Sequence, residues 1–253
     1  MGTAMGTSAI LVISMSVPAY AALGPSKLGP YDYAASTQAS PLAEAEVRAA
    51  EFDLMGAANL LKPAAGRGDA SAQVAEIYVR GLIDAREAWR QGGSPESLAP
   101  VRQAISSLEA MAKGRPGSAE IARLMLQAAA AAAQSEREEM RLYVDTAIRM
   151  ETLQRAAGMP GAPLVAAAEA AGDLWLQVHR YEDARSAYDE AAERFGSSLR
   201  TLAGRARAAR GANDTPTACS AFRALLDAWG GRAGQPGEIA EARAYVAGSC
   251  EAK

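Results

Sequence analysis

Between Leu164 and Gly230 the chain carries one unit twice, 34 residues apart. In the second copy Ala206 falls under Gly172, Ala218 under Ala184, Phe222 under Tyr188, Leu225 under Ala191, Trp229 under Phe195 and Gly230 under Gly196. The apolar spacing within each copy predicts two helices, over 162–178 and 181–195 and again over 199–211 and 215–229. They are separated by the polar turns His179-Arg180 and Asn213-Asp214-Thr215-Pro216. A helix pair of this length cannot bury its apolar face alone, so repetition at this period predicts a stack of hairpins, an α-solenoid. Thr215 is placed to cap the last helix and Pro216 to take its first position. Gly172 and Ala184 are expected where two antiparallel helices cross, because a larger side chain would push the axes apart. Tyr188 and Phe222 then fill the space toward the next helix.

The set Gly172, Trp175, Tyr181, Ala184, Tyr188 and Ala191 resembles the signature of the tetratricopeptide repeat. The second copy departs from it, with Ala206 in place of the glycine and Ala209 in place of the large aromatic. The resemblance implies a scaffold that binds a protein or peptide partner, with the first helix of each unit lining a concave groove. On that face the first copy carries Glu169, Asp173 and Gln177, and the second Arg200, Arg207 and Arg210. Steps of seven and ten residues are close to whole helical turns, so the three arginines share a face. They form a basic strip suited to the carboxylates of an acidic bound segment; the alternative is that they only solubilise an alanine-rich helix. The clamp asparagines and lysine of chaperone-binding members are not seen here, so recognition of a C-terminal carboxylate of that type is not implied.

The remainder of the 253 residues agrees with an all-α class: 49% are hydrophobic but only 6% aromatic, and β-branched residues are few. A net charge of −3 gives no general attraction to nucleic acid or an anionic membrane surface. Residues 1–21 read as a signal peptide: the apolar run Ala9 to Val17 is too short to span a bilayer and precedes Ala19-Tyr20-Ala21, a small-x-small cleavage site, although no Lys or Arg stands ahead of it. The expected mature chain begins near Ala22, in a periplasmic or secreted setting, with no stable membrane span. Residues 22–41, with Gly24-Pro25, Gly29-Pro30, Tyr31 and Tyr33, read as an extended leader, either a spacer or a partner-binding segment.

Residues 42–160 predict further, degenerate hairpins. Helices are expected over 43–61, ended by Lys62-Pro63; from an Asp69 cap to about Gln91; from Ser94-Pro95 to Gly114; over 119–133 after Ser118; and over 135–157. The alanine run Ala128 to Ala133 reads as a closely packed helix. In the fourth segment, 161–253, the two units are followed by half of a third, a helix opened by Pro236 that covers the last apolar face.

Catalytic chemistry has little to stand on. The single histidine, His179, falls in an exposed turn, and neither a Gly-x-Ser-x-Gly nor a phosphate-binding glycine loop is present. No catalytic, metal or cofactor site is expected, and the reading is a non-enzymatic scaffold. Two other readings stay open: a structural subunit packed through its outer faces and leader, and, against the shortage of aromatic sugar platforms, a glycan-cleaving enzyme on a helical toroid.

Within the repeat register the two cysteines pair. Cys219 lies early in the second helix of the second unit, and Cys250 follows the lone helix of the truncated third. Successive helices run antiparallel, which returns Cys250 to the level of Cys219; the alternative is two unrelated buried thiols.

Overall fold

The structure, a computed structural model, describes residues 40–113 and 117–250. The expected signal peptide, all of the leader before Ser40, including Tyr31 and Tyr33, and the stop at Gly114 lie outside the described residues. Among the described residues the chain forms eleven α-helices and no strand: α1 (Pro41–Ala50), α2 (Leu54–Gly66), α3 (Ala70–Arg90), α4 (Ala99–Ala112), α5 (Ser118–Ala133), α6 (Arg137–Ala156), α7 (Ala167–Gln177), α8 (Tyr181–Phe195), α9 (Leu199–Gly211), α10 (Thr215–Trp229) and α11 (Gly237–Tyr245). A π-helical turn, Val246–Cys250, follows.

Each odd-numbered helix packs on the even-numbered one after it, making five hairpins and a final single helix. The first helices of neighbouring hairpins also touch, α3 on α5, α5 on α7 and α7 on α9, whereas the second helices make no comparable contact with one another. An array that is tighter along one side curves toward it, so the odd-numbered helices form its inner face. This is an all-α solenoid.

All five hairpins turn by the same backbone scheme. The first helix ends in a left-handed residue, in order Phe52, Gly92, Ser135, His179 and Asn213, with φ between 59° and 82°. The following N–H then donates to a carbonyl five residues back: Asp53 to Arg48, Gly93 to Ala88, Glu136 to Ala131, Arg180 to Trp175 and Asp214 to Ala209. Only one of the five is glycine, so this recurrence has no sequence signature. The five residues are spaced by 40, 43, 44 and 34 positions, which is why no 34-residue period is visible before Leu164.

Several expected boundaries move. The helix expected over 43–61 is two helices, because Phe52 turns the chain and the Asp53 carboxylate caps α2 at the Gly56 N–H, 2.8 Å away. Pro63 does not end α2 but lies inside it. The helical hydrogen bond it deletes is offset by burial of Ala64 and Ala65 in the N-terminal core. Asp69 caps α3 as expected, accepting from Ser71 and Ala72. Ser94-Pro95 opens a turn, and α4 starts only at Ala99. The cap of α10 is Asp214, whose carboxylate accepts from the Thr217 N–H, while Thr215 is the first helical residue. The helix expected from 162 starts at Ala167.

The small residues have the packing role their positions suggested. The ring of fully buried Tyr188 lies against Gly172 of α7 and Gly204 of α9, where a Cβ at Gly172 would stand 2.6 Å from ring carbons. Phe222 reaches the final helix, its ring 4.9 Å from that of Tyr245. Five of the six residues Ala128 to Ala133 are buried. Cys219 and Cys250 form a disulfide, with Cα atoms 5.7 Å apart, which ties the end of the chain to the start of α10.

Candidate functional site

The six expected partner-binding residues lie on the inner helices, and five of them are joined there by ion pairs within the chain. Arg200 of α9 is the hub of the first group: its Nε donates to Glu169 at 2.7 Å and a terminal nitrogen to Asp173 at 2.6 Å, both across to α7. The second Glu169 oxygen accepts from Ser198 and Thr201, and Asp173 also accepts from the Tyr188 hydroxyl at 2.6 Å. One turn and more along α9, Arg207 donates to Glu241 of α11 at 2.5 Å and stands 3.6 Å from Glu238. Arg210 takes the other Glu241 oxygen at 2.7 Å, and its guanidinium stands 5.9 Å from the Phe222 and Tyr245 ring centroids. The result is a ladder across α7, α9 and α11. Gln177, half-buried at the end of α7, is the one of the six with a buried amide nitrogen that finds no acceptor.

Electrostatics follow the geometry. Burial would lower the Arg200 pKa, but Asp173 and Glu169 outweigh it and hold the guanidinium well above its ordinary value. Arg207 is held up in the same way by Glu241. Burial would raise the Glu241 pKa, yet the Arg207 hydrogen bond and the charges of Arg207 and Arg210 bring it below the usual carboxylate value. The Tyr188 phenol is pushed well up by burial and by Asp173. The basic strip read from the sequence is therefore already matched by carboxylates of its own chain.

The inner face is also occupied by the second half of the segment between α6 and α7, from Gly161 to Ala166. Buried Glu151, near the end of α6, accepts from the backbone N–H groups of Ala162 and Ala167 at 2.9 and 2.7 Å, and from Arg155. The Val165 carbonyl accepts from the Tyr78 hydroxyl of α3, and Leu164 packs on the N-terminal core. Phe52, at the first turn, packs on the C-terminal core cluster, and the adjacent Glu51 is 3.7 Å from Arg232. Glu151 was not singled out from the sequence. An acid in the last turns of an amphipathic helix has no local mark that its partners are backbone groups a dozen residues away.

The outer side differs. On α6, Leu142 and Leu153 are 64% and 66% exposed. Two shallow hollows of about 300 and 270 Å³ flank this helix. One is bounded by Ile148, Thr152 and Leu153 of α6 and the Glu190–Arg194 pair of α8; the other by Met150, Leu153 and Met159. Sequence reading passed over this face, although Leu142 and Leu153 break an otherwise polar stripe. Asp145 and Arg149 stand between them, and neither has an ion partner among the described residues.

Among the described residues no three His, Cys, Asp or Glu side chains are grouped to hold a metal ion, and no helix is long and apolar enough to cross a membrane. His179 sits exposed in the α7–α8 turn, with Nδ1 3.1 Å from the Tyr181 hydroxyl. Comparison with protein-family models, with curated proteins and with solved structures yields no match to this chain.

Proposed function

We propose that this protein is an interaction scaffold of the tetratricopeptide type, working outside the cytoplasm, that docks a protein partner on the outer side of its solenoid. The observation that carries the reading is the contrast between the two faces. Inner-face arginines each hold a carboxylate of their own chain, so an acidic segment entering there must displace existing pairs. On the outer side two leucines stand in water beside two charges with no ion partner among the described residues, and Ile148, Met150 and Met159 line the hollows next to Leu153; exposed apolar side chains grouped in this way mark interaction sites.

The tetratricopeptide assignment is supported by Tyr188 between Gly172 and Gly204 and by the hairpin scheme shared by all five units. An oxidising compartment is supported by the Cys219–Cys250 bridge. Export by cleavage near Ala22 belongs to the same proposal, and mass spectrometry of the envelope or secreted form finding an intact Met1 would remove it.

The docking face is tested with a photo-crosslinking amino acid at position 153 or at position 210 in cells. Adducts from 153 and not from 210 are expected. Adducts from 210 alone would return the function to the inner groove.

A further inference from the structure

Leu142 and Leu153 are eleven residues apart, about three turns, and so share one stripe of α6 with Thr146 and Arg149, while Asp145 borders it. The two ends of the stripe match, a leucine standing at each. Its midpoint lies between Ala147 and Ile148, close to the middle of the twenty-residue helix. If a second α6 lies antiparallel across that midpoint, Leu142 meets Leu153 of the other copy at both ends. At the centre Asp145 of each copy comes beside Arg149 of the other. A surface that matches itself under a two-fold rotation is what an isologous interface requires.

Charge supplies the argument for this occupant over others. Between Leu142 and Leu153 the outward surface of each helix offers one acid and one base, Asp145 and Arg149, in an order that an antiparallel copy inverts, and neither has an ion partner among the described residues. The charges of α8 that border the seam, Glu190 and Arg194, are paired with each other at 2.7 Å, and Glu138 of α6 lies beyond its Leu142 end. A partner with a uniformly acidic or basic face would satisfy one of Asp145 and Arg149 and repel the other. We propose that the outer face of α6 is the two-fold interface of a homodimer, with Leu142 against Leu153 and Asp145 against Arg149 across the axis.

This proposal rests on the reading of the outer face as the docking surface and names its occupant. It is tested on the full mature chain by sedimentation equilibrium. A concentration-dependent dimer is expected, and because one helix per copy makes a small interface, the association is weak. Leu153→Asp should abolish it. Asp145→Arg and Arg149→Asp should each weaken it about tenfold or more, and the double exchange should restore it to within about threefold, since the two-fold pairs are then simply reversed. All four positions point outward, and circular dichroism should show the same helix content in every variant. A wild-type chain that stays monomeric to millimolar concentration overturns the homodimer, as does a double exchange no better than the singles. If such a monomer still crosslinks from position 153 to a different protein, the homodimer is wrong and the docking face stands. If position 153 gives no adduct of either kind, the docking face falls with it.

Discussion

Arg200 and Glu169, 31 positions apart, meet at 2.7 Å with their side chains only 12% and 11% exposed, at the joint between the two visible repeats. The pair lies where the large central core cluster gives way to the C-terminal one. At this boundary the charge contact adds to the packing of Tyr188 between Gly172 and Gly204, and its remaining atoms are hydrogen-bonded to Ser198, Thr201 and Asp173.

Removing one side of that contact leaves the other buried and unpaired. Arg200→Met is expected to cost about 3–5 kcal/mol, read as a fall in the midpoint of chemical denaturation. A loss under about 1 kcal/mol would mean that the pair is solvated in solution and that the repeats are joined by other contacts.

The space around Tyr188 gives a second test. In a helix interior alanine is favoured over glycine by about 1 kcal/mol, so Gly204→Ala should stabilise unless packing forbids it. Its added methyl would overlap the Tyr188 ring, which is buried on all sides and tied by its hydroxyl to Asp173. Net destabilisation of about 1–3 kcal/mol is expected for Gly204→Ala, and at least as much for Ala184→Leu at the fully buried neighbouring position. A thermal midpoint raised by Gly204→Ala would place the ring elsewhere.

The disulfide closes a loop spanning 31 positions, so reducing it should lower stability by about 3–4 kcal/mol in the chain-entropy model. Thiol titration of the denatured protein should find none before reduction and two after it. The loss should appear first as exposure of α11, whose apolar residues Ile239 and Ala242 pack into the C-terminal cluster.

Acid should loosen the same end. Glu241 has a folded-state pKa below its ordinary value of 4.5 because Arg207 and Arg210 hold its charged form. Its contribution is therefore fully present above that ordinary value and is lost as the pH falls through the lowered one. Denaturation midpoints measured from pH 7 to pH 3 should fall less steeply below about pH 4.5 for Glu241→Gln than for the wild type. Parallel curves would show that the carboxylate is not paired in solution.

The sequence alone determined the all-α class, the solenoid plan, the last four hairpin helices to within a few residues and the partner of each cysteine. These follow from local periodicity and from a 34-residue repeat, which fixes where a helix returns along its neighbour. Tertiary structure decided what the repeat does not encode. Phe52 takes a left-handed turn that nothing in Glu51-Phe52-Asp53 announces, because its ring is held by a core cluster built from α9 to α11. Glu151 finds its partners in a segment that arrives only when α7 docks. The arginines of α9 were legible as a strip on one face, but whether that strip faces a ligand or its own carboxylates depends on how far α9 sits from α7 and α11. The same distances leave Leu142 and Leu153 uncovered, because each residue's burial is set by the neighbouring helices and not by its own.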